Sequence, residues 1–156
     1  VVAEFGDPTK YILRDGNVGA GWESAILTRV ELPGPIRYIG HPTQLVTDVR
    51  CHERIANPMR LAFKSLYDAG LWGLLEDFGG CYCWRQQRMA PTSRSRHSWG
   101  IAIDLNVASN PFLSAPNMPR PVINAFEANG FVWGGNFVRR PDGMHFEYVD
   151  LDGLPS

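Results

Sequence analysis

An α+β fold is predicted by three features of this 156-residue chain. Met59, Ala62, Phe63 and Leu66 recur at i, i+3, i+4 and i+7 after Asn57 and Pro58, which is the apolar stripe of a core-facing helix. Residues 101–106 and 144–149 alternate with the two-residue period of strands. A second helical segment, from Pro119 to Gly130, lies between these two strand candidates.

In chain order, the first forty residues are punctuated by Gly and Pro, as in "RDGNVGAGWES" and "ELPGPIRYIG", and predict loops and short strands wrapping a core. "LVTDVRCHERIA" is expected to be a helical piece broken at Pro58, with His52 on it or at its edge in a structural role. The helix that follows has Asn57 as its cap, Pro58 at its first position and Gly70 as its stop. "GGCYCWRQQR" reads as a short strand or loop. In "GIAIDLNV", Ile101, Ile103 and Leu105 point one way, and Ala102, Asp104 and Asn106 the other. Val122, Ile123 and Phe126 are the inward face of the second helix. "FVWGG" and "MHFEYV" are strands with turn chemistry, "RRPDG", between them, and His145 and Glu147 share one face of the last strand.

Composition bounds the function. The length suits one domain, residues 1–156, with residues 1–40 as a loop-rich N-terminal segment. Sixteen Gly and twelve Pro favour short elements over a helical bundle. A net charge of −1 predicts no general attraction to nucleic acid or anionic membranes, and no apolar run reaches the roughly 20 residues of a membrane span. The local exception is Arg85, Arg88, Arg94 and Arg96, a solvated basic loop or a site for anionic substrate groups. Cys51, Cys81 and Cys83 are odd in number, which argues against a disulfide framework. They are read as thiols, a bridge from Cys51 to one of the others being the alternative. The start at Val1 suits a processed product or a piece of something longer, and oligomeric state is not legible.

The chemistry gathers on two strands. Asp104 and His145 each stand on a polar strand face, and His97 lies in the loop leading into the first. Two histidines and a carboxylate suit a catalytic zinc site, in which three protein ligands leave one position open. Asp142, three residues before His145, is placed to serve as a base beside such a metal. Gly100 and Ala102 leave room around the ligands, and Ser95 can hold the loop by local hydrogen bonding. By spacing alone, a metal site and a set of ordinary polar residues both stand.

The segment "SRHSWGIAID" fits the pattern SxHxxGxAxD at every fixed position, through Ser95, His97, Gly100, Ala102 and Asp104, and "DGMHFE" follows later. In these motifs the chain resembles the zinc-dependent D-alanyl-D-alanine carboxypeptidase and L-alanyl-D-glutamate endopeptidase family, which includes the carboxypeptidases of vancomycin resistance and several phage endolysins. The resemblance runs from about Asn57 to Tyr148. It implies a small antiparallel sheet carrying the zinc site, flanked by helices, the fold shared with hedgehog signalling proteins. It further implies Zn2+ held by His97, Asp104 and His145, with Asp142 as general base. Arg85 is implied to steady the substrate carbonyl or carboxylate, with Arg88 as its competitor. Ser95 would lie behind the ligands or touch substrate, and Glu147 would orient His145. Trp99, Trp133 and Tyr148 are candidates to line the cleft, with packing the better account of each.

By resemblance the substrate is the peptidoglycan stem peptide, and the activity is that of an L-alanyl-D-glutamate endopeptidase, since many carboxypeptidase members carry Glu where this chain has Asp142. A D-alanyl-D-alanine carboxypeptidase and a non-catalytic zinc-binding or wall-binding module are the alternatives, the second disfavoured because all four metal-site positions are filled. The substrate implies action in the periplasm or cell wall, by a phage lysin or an exported bacterial enzyme.

Overall fold

Strand pairing starts well before the region where the motifs lie. The structure, a computed structural model, describes residues 1–88 and 90–149, so residues 150–156 of the expected domain lie outside the described residues. Two short helices, α1 (Val2–Phe5) and α2 (Ala20–Ile26), lead into a hairpin of two long strands, β1 (Leu27–Tyr38) and β2 (His41–His52). The expectation of a loop-rich segment over residues 1–40 is therefore corrected for residues 20–38. The Pro-Gly-Pro run was the misleading signal. The register jumps from Glu31↔Asp48 to Ile36↔Val46, so residues 32–35 bulge out of the ladder, where prolines need donate nothing. Gly34 is needed there, because a Cβ would lie 2.7 Å from the Trp72 indole nitrogen, whose N–H donates to Pro35 O at 2.8 Å.

A second correction concerns residues 45–52, expected to be helical and found in β2. The β-branched Val46, Thr47 and Val49 suit a pleated strand, and the β1 ladder satisfies the backbone. His52 ends this strand, buried. Its Nδ1 accepts from Arg54 N at 3.1 Å, so Nε2 donates to Phe5 O at 3.2 Å, a structural role as expected.

Helix α3 (Ala56–Asp68) begins just before the expected cap, with Pro58 in its first turn, and Met59, Ala62, Phe63 and Leu66 are all buried. Strands β3 (Phe78–Gly80), β4 (Gln86–Gln87), β5 (Ala90–Arg94) and β6 (Ala102–Leu105) follow, then α4 (Arg120–Glu127), β7 (Phe131–Trp133) and β8 (His145–Tyr148). Six strands form one sheet in the order β2-β1-β3-β6-β8-β7, antiparallel except where β1 meets β3 at Tyr38 and Phe78. Strands β4 and β5 pair separately as a small ribbon. The fold is α+β, a mostly antiparallel sheet flanked by helices.

Both long helices pack on one face of the sheet. Phe126 of α4 meets Phe63 of α3 edge-on at 5.4 Å between ring centroids and Phe146 of β8 at 4.8 Å, and Phe146 stands opposite Ile103 of β6. The other face of β6, expected to present Asp104, is buried as well, because the segment that carries His97 folds over it. Buried apolar residues from Phe5 to Phe146 make one hydrophobic cluster. Cys51, Cys81 and Cys83 are free, and burial pushes the Cys51 thiol up to about 12. Among the described residues no helix is long and apolar enough to cross a membrane.

Gly100 joins the N-terminal hairpin to the motif. Its φ is +66°, and a Cβ would come within 2.8 Å of a Leu27 methyl and 3.0 Å of His52 N, whose N–H donates to Gly100 O at 2.9 Å. Gly100→Ala should therefore lose about 1–3 kcal/mol of stability from left-handed strain and overpacking, read as a lower denaturation midpoint. An unchanged midpoint would show that this junction tolerates a side chain.

Candidate metal centre and cleft

A single turn of 3₁₀ helix, Arg96–Trp99, positions His97. Ser95 caps it, its buried hydroxyl accepting from His97 N at 3.3 Å, and Gly100 closes it in the left-handed region. The turn is clamped from three sides. Ser98 Oγ donates to Arg85 O at 2.8 Å, the Trp22 indole N–H donates to Ser98 O at 3.1 Å, and that of Trp99 to Gly6 O at 3.0 Å. Asp104 and His145 need no such device, since they stand directly opposite each other on β6 and β8.

These elements bring His97, Asp104 and His145 together, all buried, with one ligand atom from each within 4.8 Å of the others. His97 Nε2 lies 3.2 Å from His145 Nδ1 and 3.2 Å from Asp104 Oδ1, and His145 Nδ1 lies 3.1 Å from the same oxygen. Hydrogen bonds on the far side of each ring set the tautomers. His97 Nδ1 lies 2.7 Å from Cys81 O, and His145 Nε2 lies 3.1 Å from Glu147 Oε2. A carbonyl and a carboxylate only accept, so these two outer nitrogens carry protons. With a metal in place of the inner proton that Asp104 favours on His145, three electron-pair donors would converge on one point. Tetrahedral bonds of about 2.0–2.1 Å would set ligand atoms about 3.3 Å apart, close to the triangle found. The donor set fits a divalent metal.

The electrostatics agree with a cation at this point. Burial opposes ionisation of Asp104, but the two imidazoles outweigh it and hold the carboxyl far below its usual range. Burial likewise opposes charge on His145, yet Asp104 and Glu147 push its pKa up to about 9. Glu147 is held low by His145 and Arg96 against the cost of burial, and Arg96 Nε stands 3.8 Å from its other oxygen.

A cleft opens beside the three donors. Its lining includes His145, Glu147, Ser95, Arg85, Arg88 and Asp142, so the structure gathers these expected site residues at one place. Asp142 stands out in it. Its Oδ1 is buried without a hydrogen-bond partner, and burial raises its pKa despite the opposing field of His145. Its backbone is fixed by Asp142 N donating to Gly134 O at 2.9 Å and His145 N donating to Asp142 O at 3.1 Å. Gly134 allows this close passage, because a Cβ there would lie 2.5 Å from Asp142 O. Arg85 and Arg88 both reach the cleft, so both candidates for one role stand at its border.

Sequence reasoning missed four cleft residues, Gln87, Phe112, Phe137 and Arg140, and it named Arg96 only within the basic loop. Phe112 and Phe137 come from irregular segments with no periodic signal, although Arg140 in "RRPDG" lies two positions before Asp142 and adjacency was available as a hint. Trp99, Trp133 and Tyr148 are absent from the lining and pack instead; the Trp133 N–H donates to Gly143 O at 2.9 Å.

Residues 88–148 match the family model described as D-alanyl-D-alanine carboxypeptidase. The matched segment contains the three converging donors, Asp142 and Glu147. Among curated proteins, none matches this chain.

Because Glu147 fixes the His145 ring from behind, Glu147→Gln should weaken binding of titrated zinc by about 10- to 100-fold without abolishing it. His97→Ala should abolish high-affinity binding. Calorimetric titration of the metal-stripped protein checks both, and an unaltered affinity in Glu147→Gln would remove Glu147 from the site's support.

Proposed function

From the match of residues 88–148 to the family model described as D-alanyl-D-alanine carboxypeptidase, we propose that this chain is a zinc peptidase that hydrolyses stem peptides of the bacterial cell wall. The observation that carries the reading is the pairing of a metal-fitting donor triangle with an unpartnered, partly buried carboxylate, Asp142, in the same cleft. A structural metal site would need no such neighbour.

Zinc, when bound by His97, Asp104 and His145, supplies Lewis acidity and favours deprotonation of water. The chain's own residues do the rest. Asp142 accepts the proton of the attacking water through its free oxygen, then delivers it to the leaving amide nitrogen. Its raised pKa makes it a stronger base toward that water than an ordinary carboxylate. Arg85, whose side chain makes a single hydrogen bond among the described residues, at 3.4 Å to its neighbour Gln86 O, is free to face the charge that develops on the carbonyl oxygen. Arg88 is engaged over the Phe112 ring at 5.2 Å, which favours Arg85 for this role. Ser95 keeps the His97 turn in place from the cleft wall.

Asp rather than Glu at position 142 supports the L-alanyl-D-glutamate endopeptidase reading. The description of the matched family supports a second one, removal of terminal D-alanine. Either substrate puts the working protein in the periplasm or cell wall.

Asp142→Asn should lower turnover by about 100-fold or more while zinc affinity stays near that of the unaltered chain. Near-normal turnover in that variant would sink the assignment. Digestion of purified peptidoglycan followed by mass spectrometry separates the two bonds: stem peptides released from L-alanine indicate the endopeptidase, free D-alanine the carboxypeptidase, and no product overturns the peptidase reading.

A further inference from the structure

The two histidines of the candidate metal centre are carried by different kinds of structure. His145 stands on β8, within the sheet, and His97 on the 3₁₀ turn Arg96–Trp99, outside it. One side chain spans the two. Arg96 leaves the turn directly beside His97, and its Nε stands 3.8 Å from Oε1 of Glu147, two residues after His145. The other oxygen of that carboxylate, Oε2, accepts from His145 Nε2 at 3.1 Å. Both oxygens are thus engaged, one by the guanidinium and one by the ring. The backbones behind this pair meet at Ile101, whose N donates to Arg96 O at 3.4 Å and whose O accepts from Tyr148 N at 2.8 Å. Ala102, buried and directly opposite Glu147 on β6, brings no polar group to compete for the acid.

Among the described residues Arg96 is the one cleft arginine held in an ion pair, since Arg85, Arg88 and Arg140 form none. The Arg96 side chain is 33% exposed and that of Glu147 18%, so solvent screens the pair only in part. At 3.8 Å the contact is electrostatic and lies beyond hydrogen-bond reach, so a positive charge at this place matters more than the fork of the guanidinium. A carboxylate held at one oxygen swings about that contact. Held at both, it fixes the direction in which the His145 ring presents its inner nitrogen. We propose that Arg96 is a positioning residue of the metal centre, which through Glu147 fixes the His145 ring and ties it to the turn that carries His97. This inference rests on the metal-binding part of the peptidase reading and on no particular peptide bond.

Calorimetric titration of zinc into the metal-stripped chain tests it, with Arg96→Gln, Arg96→Lys, Glu147→Gln and the double variant Arg96→Gln, Glu147→Gln alongside. Arg96→Gln should weaken zinc affinity by about three- to tenfold, less than Glu147→Gln, because Arg96 acts one contact further from the metal. Arg96→Lys, which keeps the charge, should bind close to the unaltered chain. The double variant should bind no more weakly than Glu147→Gln, because without the carboxylate the guanidinium has nothing to act through. A further loss in the double variant overturns the assignment, as does an equal loss in Arg96→Lys and Arg96→Gln. Unaltered affinity in Arg96→Gln also overturns it, including where kcat/KM falls, and leaves the metal centre standing. Unfolding midpoints of the stripped proteins complete the comparison: a loss of affinity that tracks a lowered midpoint in Arg96→Gln marks a merely structural role and overturns it too. No zinc binding by the unaltered chain overturns both this inference and the reading beneath it.

Discussion

Three metal-ligating atoms are held within 3.2 Å of one another in a buried place, and much of the surrounding structure maintains that arrangement. Asp104 draws positive charge to this point, so that without a metal a proton on His145 takes its place. The protein also fixes each imidazole from behind. Cys81 O and Glu147 take the outer imidazole protons, so neither ring gains by turning its protonated nitrogen inward. The β6 and β8 ladder sets Asp104 against His145 by backbone register alone. A ligand set stabilised this way is prepared for a metal before one arrives, which reduces the reorganisation that binding requires.

The N-terminal region has its place in this account. Trp22 and Gly6 hold the backbone and the indole of the His97 turn, and the end of β2 hydrogen-bonds Gly100. His97 is the only one of the three donors outside the sheet, so it is the one that needs outside support. The hairpin of β1 and β2 and the two short helices before it supply that support, although none of their residues lines the cleft. The aromatic cluster of Phe63, Phe126 and Phe146 does the equivalent work on the opposite face of the sheet, holding β8 from below while His145 points up from it.

The charges of the site divide along the same lines. Acids gather around the donor triangle, where a metal would neutralise them. Arg85, Arg88 and Arg140, which form no ion pair among the described residues, line the cleft beside it. Asp142 lines the same cleft, and its Oδ1 is buried without a hydrogen-bond partner, which suits the proton exchange proposed for it.

The sequence by itself determined the short-range features: helices α3 and α4 from their apolar stripes, β6 and β8 from their alternation, and the candidates His97, Asp104, Asp142 and His145 from two short motifs whose resemblance to a known family singled them out. Each of these depends on residue types only a few positions apart, so a local pattern is enough to specify it. Only the tertiary structure decided that residues 45–52 pair as a strand rather than coil, because β1 supplies the partner and the Pro-Gly-Pro bulge conceals β1 in the sequence. The convergence of the donor triangle, the tautomers of its histidines, and the meeting of Arg96 with Glu147 were likewise decided there. These are contacts between segments far apart in the chain, and no periodicity in a single segment encodes the distance to a partner that folding alone brings near.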